Sequence, residues 1–543
     1  MGTKVNSNYE DLLTFTRASK GHALRPVSYG DELVENGDFS STDLSDWTAS
    51  TSSLSIDSGA LKITSDGVAG NKSAYQVISG LSVGNVYEIS VDVIAETGTS
   101  VTQEVRVGTN INGVTQLYEY IYQTDSTNIF RFVAGATSQY ISILFYDNTG
   151  DATKSSTFDN ISVKEVLFDQ PDGTLTLFEH PDDVPRVEYD ADGNRLGLLV
   201  EEQRVNQVTQ SEDFGAGVWN SAAAGITVVR NDIAAPDGTM TADKLQEKAT
   251  TDTHRRGFAI SGANDKIFSF FAKAGERTKV RTWSFAGGNT QAATFDLSEG
   301  TVVTGSSGAK EGKIEYYGNG WYRCSSKIDG GQTTVVVGPM IDGVTGNNTG
   351  SYTGDGSSGV YVWGAQIEDN VSFPTSYIKS NSGSTTTRSA DVASIPVSDF
   401  GWNNGAGTVV AEVDTADASN FGILWSANAD SFQNRTLAYI NNDLIYMYNR
   451  KNNGTEVNDP YANAPLDNTP LKHGYAFTDG DFNHTLNGGA VETVASNEMP
   501  VGINSFDIGN RLYTSGGHIN GHIKSIKYYP RRLTNAQLVD LTS

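Results

Sequence analysis

The stretch ISGLSVGNVYEISVDV (Ile78–Val93) reads as a glycine turn feeding a strand. From Val86 to Ile94 (VYEISVDVI) the residues alternate apolar and polar with a period of two, the mark of a half-buried strand. A second stretch, ISGANDKIFSFFAKAG (Ile260–Gly275), has the same layout. Their surroundings match too. Upstream lie ENGDFSSTDLSDW (Glu35–Trp47) and SEDFGAGVW (Ser211–Trp219). Downstream come strand pairs, NIFRFVAGATSQYISILFY (Asn128–Tyr146) and NGWYRCSSKIDGGQTTVVVGP (Asn319–Pro339). Each copy closes on a strand, FDNISVKEV (Phe158–Val166) and GVYVWGAQIED (Gly359–Asp369). Order and spacing agree better than identity, which predicts tandem domains of one architecture with Trp47 and Trp219 at equivalent core positions.

Short Val/Ile/Tyr/Phe runs between Gly/Asn/Asp/Ser turns continue along nearly the whole chain, and helical periodicity is almost absent. The fold class is therefore all-β: tandem jelly-roll sandwiches, then a third β-sandwich. One helix is expected at Thr534–Leu541, capped by Thr534 or Asn535. The division reads as an N-terminal strap over 1–30, a jelly roll over 31–167 and a β-hairpin connector over 168–205, turning at Asp192–Gly193. A second jelly roll (206–378), a polar linker (379–398, with KSNSGSTTTR) and the third domain (399–543) follow.

Lys and Arg total 38 against 64 Asp and Glu, a net charge of −26 that repels phosphate backbones. Nucleic acid and anionic membranes are poor partners, and no apolar run approaches the roughly 18–20 residues that span a bilayer. The opening MGTKVNSNYEDLL lacks a signal-peptide core, and Cys324 is the only cysteine, so synthesis in a reducing compartment is expected.

Three motif matches lack the setting their chemistry needs. Gly80–Gly84 fits G-x-S-x-G but leads into a strand, not a helix. Gly354–Gly359 fits G-x-G-x-x-G with no helix N-terminus behind it. Asp190, Asp192, Asn194 and Glu201 mimic a calcium loop, but Arg195 stands where that loop needs glycine. His22, His180, His254, His473, His484, His518 and His522 read as surface or loop residues. The acids form no obvious glycosidase pair, and a non-enzymatic protein is expected.

The motifs Phe15–Ser19 (FTRAS), Pro185–Asp190 (PRVEYD), Gly197–Asn206 (GLLVEEQRVN), Ser211–Phe214, Ala235–Asp243, Asn319–Arg323, Tyr352–Glu368, Ser376–Ile378 and Arg388–Val392 form one combination. Together they resemble a module of bacteriophage tail and virion structural proteins. FTRAS and PRVEYD lie close together in that module. Here Lys20–Val184 separates them, as if the first jelly roll were inserted. The inserted region resembles carbohydrate-binding jelly rolls of glycoside hydrolases, through ENGDF…W and FDNISV. The third region resembles laminin-G and concanavalin-like sandwiches, through LNGG (Leu486–Gly489), FDIGN (Phe506–Asn510) and Gly521–Leu541.

These resemblances imply a virion fibre or spike that binds host-surface glycans, assembles as a homotrimer and docks to other virion proteins through its N-terminal segment. A head or tail decoration without ligand is the alternative, and a glycan-degrading tail enzyme a third reading. The resemblance also raises a structural calcium at Asp38 and Asp159, although Ser40 stands where those jelly rolls carry Glu. Turn-capping by Asp159 is the competing reading. For the sugar, LYEYIY (Leu117–Tyr122) places Tyr118, Tyr120 and Tyr122 on one side and Leu117, Glu119 and Ile121 on the other. Either side could be core. In the third domain Trp425, Tyr446 and Tyr448 are further candidates, with packing between sheets as the alternative for the two tyrosines.

Overall fold

The computed structural model describes residues 13–98, 101–121, 127–286, 289–303, 312–341, 350–429, 433–452, 454, 456–461, 467–494, 498–511 and 516–543. The chain divides into two compact units. One comprises 25–181 with 237–240; the other comprises 1–24, 182–236 and 241–543.

The smaller unit is a jelly roll of two sheets. One runs Thr127–Val133, Val86–Thr97, Ser155–Phe168, Gly21–Glu32 (in this unit from Arg25) and Thr174–His180, with Ser52–Asp57 and Ala60–Ser65 attached. The other runs Thr48–Ser50, Gly70–Ser79, Ser138–Asp147, Thr102–Gly108 and Leu117–Ile121. The alternation read from the sequence is realised in Val86–Thr97. Tyr87, Ile89, Val91 and Val93 point into the core, where they meet Ile141, Ile143 and Phe145 of the facing sheet. Each such residue contributes about 1.5–3 kcal/mol when fully buried.

The larger unit repeats this plan and adds a second sandwich. In the repeat, Lys266–Ala274 lies between Trp321–Ile328 and Gly359–Asp369, as Val86–Thr97 lies between Thr127–Val133 and Ser155–Phe168. The facing sheets also agree strand for strand: Lys279–Ala286 sits between Thr334–Met340 and Asn289–Asp296 where Thr102–Gly108 sits between Ser138–Asp147 and Leu117–Ile121. The tryptophans are equivalent. Trp47 packs on Phe39 at 5.8 Å and its indole N–H donates to the Asn36 carbonyl. Trp219 packs on Phe214 at 4.5 Å and donates to the Gln210 carbonyl.

The third sandwich has two seven-stranded sheets. One runs Thr14–Thr16, Val392–Pro396, Ser505–Ile508, Gly422–Asn428, Arg435–Asn441, Leu444–Arg450 and Glu456–Tyr461. The other runs Val187–Tyr189, Arg195–Val200, Gly521–Tyr529, Ala406–Val413, Leu471–Thr478, Asp481–Leu486 and Glu492–Val494. The helix spans Asn535–Thr542, and Thr534 caps it in a reciprocal box with Gln537.

Three segments differ from their sequence reading. Residues 14–16 of the expected strap are an edge strand of the third sandwich. The hairpin read as a connector turns near Gly193 (φ +81°) as expected, but both its strands join the third sandwich's other sheet. Segment 379–398 is no loose linker: Thr386–Arg388 pairs with Arg204–Asn206, and the Ser380 N–H donates to the Ser211 hydroxyl at 2.9 Å. Polar composition misled here because these polar groups are satisfied inside the protein.

Residues from four of the motifs quoted above converge on one buried ion network. Arg17 of FTRAS, Arg186 of PRVEYD, Glu201 of GLLVEEQ, and Arg388 and Asp391 of the last motif meet with side chains 0–5% exposed. Arg186 donates to Glu201 at 2.9 Å and to Asp391, and Arg388 donates to Glu201 at 2.5 Å. The Ser376 hydroxyl and N–H also donate to Glu201. Burial pushes the Glu201 carboxyl up, but Arg388, Arg186 and Ser376 hold it well below the usual carboxylate range.

Candidate binding face of the first jelly roll

Among the described residues, strand Leu117–Ile121 is the edge of its sheet and pairs only with Thr102–Gly108 there. Leu117 and Ile121 are each 6% exposed and belong to the core cluster. Alternation then turns Tyr118 (45% exposed) and Tyr120 (37%) outward. The two faces left open by the sequence are thus resolved: the tyrosines lie on the open face. Glu119 falls on the core side at the sheet edge, half-buried. Tyr122 lies outside the described residues.

The register adds partners that sequence reading missed. Tyr118 stands opposite Arg106, and Arg106 opposite Ser142, which stands opposite Tyr75. Tyr120 stands opposite Glu104, then Leu144 and Ser73. Tyr140 packs against Tyr75 at 5.7 Å. Two tyrosine pairs therefore flank Arg106, Glu104, Ser142, Leu144 and Ser73, of which all but Arg106 are buried. Arg106 donates to Glu104 at 2.8 and 2.5 Å, and its guanidinium lies 5.0 Å from the Tyr118 ring. The hydroxyls of Tyr118 and Tyr120 meet at 2.6 Å, and that bond holds the Tyr118 phenol above its ordinary pKa. The hydroxyl of Ser73, which alternation places on this face, is buried without a hydrogen-bond partner, as is the Asn112 side-chain oxygen. Tyr75 and Tyr140 could have been found by extending the alternation into Gly70–Ser79 and Ser138–Asp147.

Tyr118 and Tyr120 give this face aromatic surface for the apolar side of a sugar ring, with their own hydroxyls and the partly buried Arg106 guanidinium as polar groups beside it. The matching sheet of the second jelly roll differs. Its aromatics are Trp283, only 6% exposed, and the half-buried Phe285; the Arg255 guanidinium lies 5.6 and 5.8 Å from their rings, and that of Arg281 5.4 Å from Trp283.

The other candidate residues fall elsewhere. Trp425 is fully buried and stacks on Phe506 at 5.5 Å, so it is a core residue and not a surface platform. Tyr446 and Tyr448 do not lie between the sheets. They join a satellite cluster with Ile423, Leu437 and Tyr439, where Tyr446 stacks on Tyr439 at 4.6 Å. Tyr448 is 7% exposed and its hydroxyl accepts from Arg435 at 2.9 Å. Asp38 is exposed beside a depression of about 640 Å³, and one of its oxygens accepts from the Ser40 N–H and hydroxyl. One oxygen of Asp159 accepts the Asn160 N–H at 2.8 Å. Asp38 thus closes a local turn, whereas Asp159 sits within a strand and engages its chain neighbour. The surface reading of the histidines fails: His22, His180, His254, His473 and His484 are at most 3% exposed. His522 lies on a strand and lines a cleft of about 310 Å³ in the larger unit. It sits 2.8 Å from both Asp414 and Glu188.

Residues 31–155, which contain the tyrosine face, match a family described as a carbohydrate binding domain. No curated protein matches the chain. Among solved structures, the IT-sialidase CBM40 of Ruminococcus gnavus bound to alpha2,3 sialyllactose is 18% identical over 26% of this chain and 84% of that one, TM-score 0.23. The CBM22-1-CBM22-2 tandem domain of Paenibacillus barcinonensis Xyn10C is 14% identical over 63% of this chain and 98% of that one, TM-score 0.19. Domains LG4-5 of the mouse laminin alpha1 chain are 10% identical over 53% and 88%, TM-score 0.19. The match to a carbohydrate binding domain and the open tyrosine face thus fall on the same stretch of chain.

Proposed function

We propose that this protein is a non-enzymatic glycan-binding fibre or spike of a virion, and that it holds a host-surface glycan on the face bearing Tyr75, Tyr140, Tyr118 and Tyr120. The outward orientation of Tyr118 and Tyr120 within the stretch matched by a carbohydrate binding domain carries the glycan reading. The motif set that ends in the buried Arg–Glu–Asp network supports the virion reading, because it resembles a phage structural module. A homotrimer docked to other virion proteins through the N-terminal residues fits the same resemblance. Linked copies would gain avidity from weak single sites without new contacts.

The experiment is a glycan array with the full chain, run beside Tyr120→Ala and Tyr118→Ala. Binding to a defined set of glycans, lost in both variants while the melting temperature falls by no more than a few degrees, is expected. Binding retained in both moves the site elsewhere. An array with no binding favours the decoration reading, and release of reducing ends from a bound glycan would overturn the non-enzymatic one.

A further inference from the structure

At one end of the third sandwich a polar cluster interrupts the apolar interior. His473 on Leu471–Thr478, His484 on Asp481–Leu486 and Glu492 on Glu492–Val494 share one sheet. Asp459 comes from Glu456–Tyr461, the edge strand of the other. The hairpin register pairs Thr478 with Asp481 and sets His473 diagonal to His484, while His484 stands directly opposite Glu492. Both imidazoles are fully buried among inward-facing neighbours that include Leu471, Tyr475 and Leu486.

His484 Nε2 is buried and makes no hydrogen bond. It points at two carboxylates, Asp459 Oδ2 at 3.4 Å and Glu492 Oε2 at 3.6 Å. A protonated imidazole paired with a carboxylate closes to about 2.7–2.9 Å. Both contacts are longer than that, so the Nε2 atom faces the two carboxylates without closing an ion pair on either. Ligand atoms about 2.0–2.2 Å from one tetrahedral cation lie roughly 3.3–3.6 Å apart, the spacing seen around His484. All three ligand atoms lie within 4.8 Å of one another, and among the described residues no other three His, Cys, Asp or Glu do so. On the far side of the ring, His484 Nδ1 lies 3.2 Å from His473 Nε2. His473 can accept the Nδ1 proton there, which leaves the Nε2 lone pair free for a metal, the usual support for a ligating histidine.

We infer that His484, Asp459 and Glu492 bind a divalent first-row transition cation, zinc foremost, with His473 as the positioning residue behind the imidazole. One nitrogen and two carboxylate oxygens suit such an ion better than calcium, which takes six to eight oxygens. Asp459 and Glu492 are about one-third exposed, so the ion has a path in from solvent. Bound there, it ties an edge strand of one sheet to an edge strand of the other.

The test uses the full chain stripped with chelator, then titrated with zinc or cobalt(II). One equivalent per chain is expected, with a raised unfolding midpoint and, for cobalt, the intense visible absorption of a tetrahedral site. Glu492→Gln and Asp459→Asn, both at partly exposed positions, should each lose the binding and the absorption while keeping the native far-UV spectrum. Calcium should give neither effect. Absence of binding at micromolar zinc, or one equivalent bound unchanged in both variants, overturns the assignment.

Discussion

Asp391→Asn probes the energetics of the buried network. Arg17, Arg186, Arg388 and Asp391 have side chains with no solvent exposure, and Glu201 is 5% exposed. Three guanidiniums face two carboxylates, and the substitution leaves them facing one. Burial already draws the Arg17 guanidinium down to about 10, with Arg186 adding to the shift and Asp391 opposing it. Breaking a buried pair by removing one partner costs about 3–5 kcal/mol. The Asp391 carboxylate also accepts the Glu201 N–H at 2.9 Å, and an asparagine amide would turn N–H groups toward existing donors. The upper half of the range, about 4–5 kcal/mol, is therefore expected. Equilibrium denaturation of the full chain measures it, as a lower midpoint for the larger unit at unchanged slope. The control is Lys327→Gln, which breaks a pair with Asp265 whose side chains are 40% and 50% exposed; about 0–1 kcal/mol is expected. A loss below about 1 kcal/mol for Asp391→Asn would refute the claim that the network holds this unit together. Acid gives a second readout. The folded Glu201 carboxyl lies below its unfolded value, so its stabilisation is complete above the ordinary carboxylate range and is lost as pH falls through the depressed folded value.

Tyr120→Ala should cost less than about 1.5 kcal/mol because the ring is already 37% exposed, whereas Trp47→Ala, at 4% exposure, should cost about 3–5; thermal melts of the two variants compare them. Burial alone would lower the His522 pKa, but Asp414 and Glu188 raise it to about 10. Its contribution should therefore be full below about 6.5, fall as pH rises toward the folded value, and vanish in His522→Gln, as unfolding midpoints across that range would record. Calcium added to the metal-stripped chain should leave the first jelly roll's melting temperature unchanged, since one oxygen each of Asp38 and Asp159 already accepts a local N–H; a calcium-dependent rise would establish the structural calcium.

The sequence was most informative where periodicity and burial coincide. Val86–Val93 alternates, so the residue pattern alone turns Tyr87, Ile89, Val91 and Val93 inward, and the parallel layout of Ile260–Gly275 exposed the repeated architecture. Leu117–Tyr122 shows the limit of that signal. Period two separates two faces but cannot name the one that meets the core, and an edge strand tolerates Glu119 on its inner side. Trp425 illustrates another limit, because an indole reads alike as platform or core until its neighbours are known. The His484 cluster was hidden because its members come from four strands, one of them in the opposite sheet. The hairpin register around Thr478–Asp481 could have paired the two histidines, but nothing local points to Asp459.

The backbone pairing at the insertion point has a consequence for modularity. The Arg17 N–H donates to Asp183 Oδ1 at 2.9 Å, and the Asp183 N–H donates to the Arg17 carbonyl at 3.1 Å. The chain leaves the larger unit after Leu24 and returns to it at Asp182, and Arg17 and Asp183, 166 residues apart, tie the two passages together within that unit. Closing a short turn there would satisfy the same groups, because the cost of joining two ends rises only slowly with the length of chain between them. Another domain whose ends lie equally close together could take the first jelly roll's place provided Ser19 and His22 stay, because the Ser19 carbonyl accepts from Arg17 and the His22 carbonyl from Arg186 inside the ion network. A lineage could trade that domain wholesale without rebuilding the scaffold that carries it.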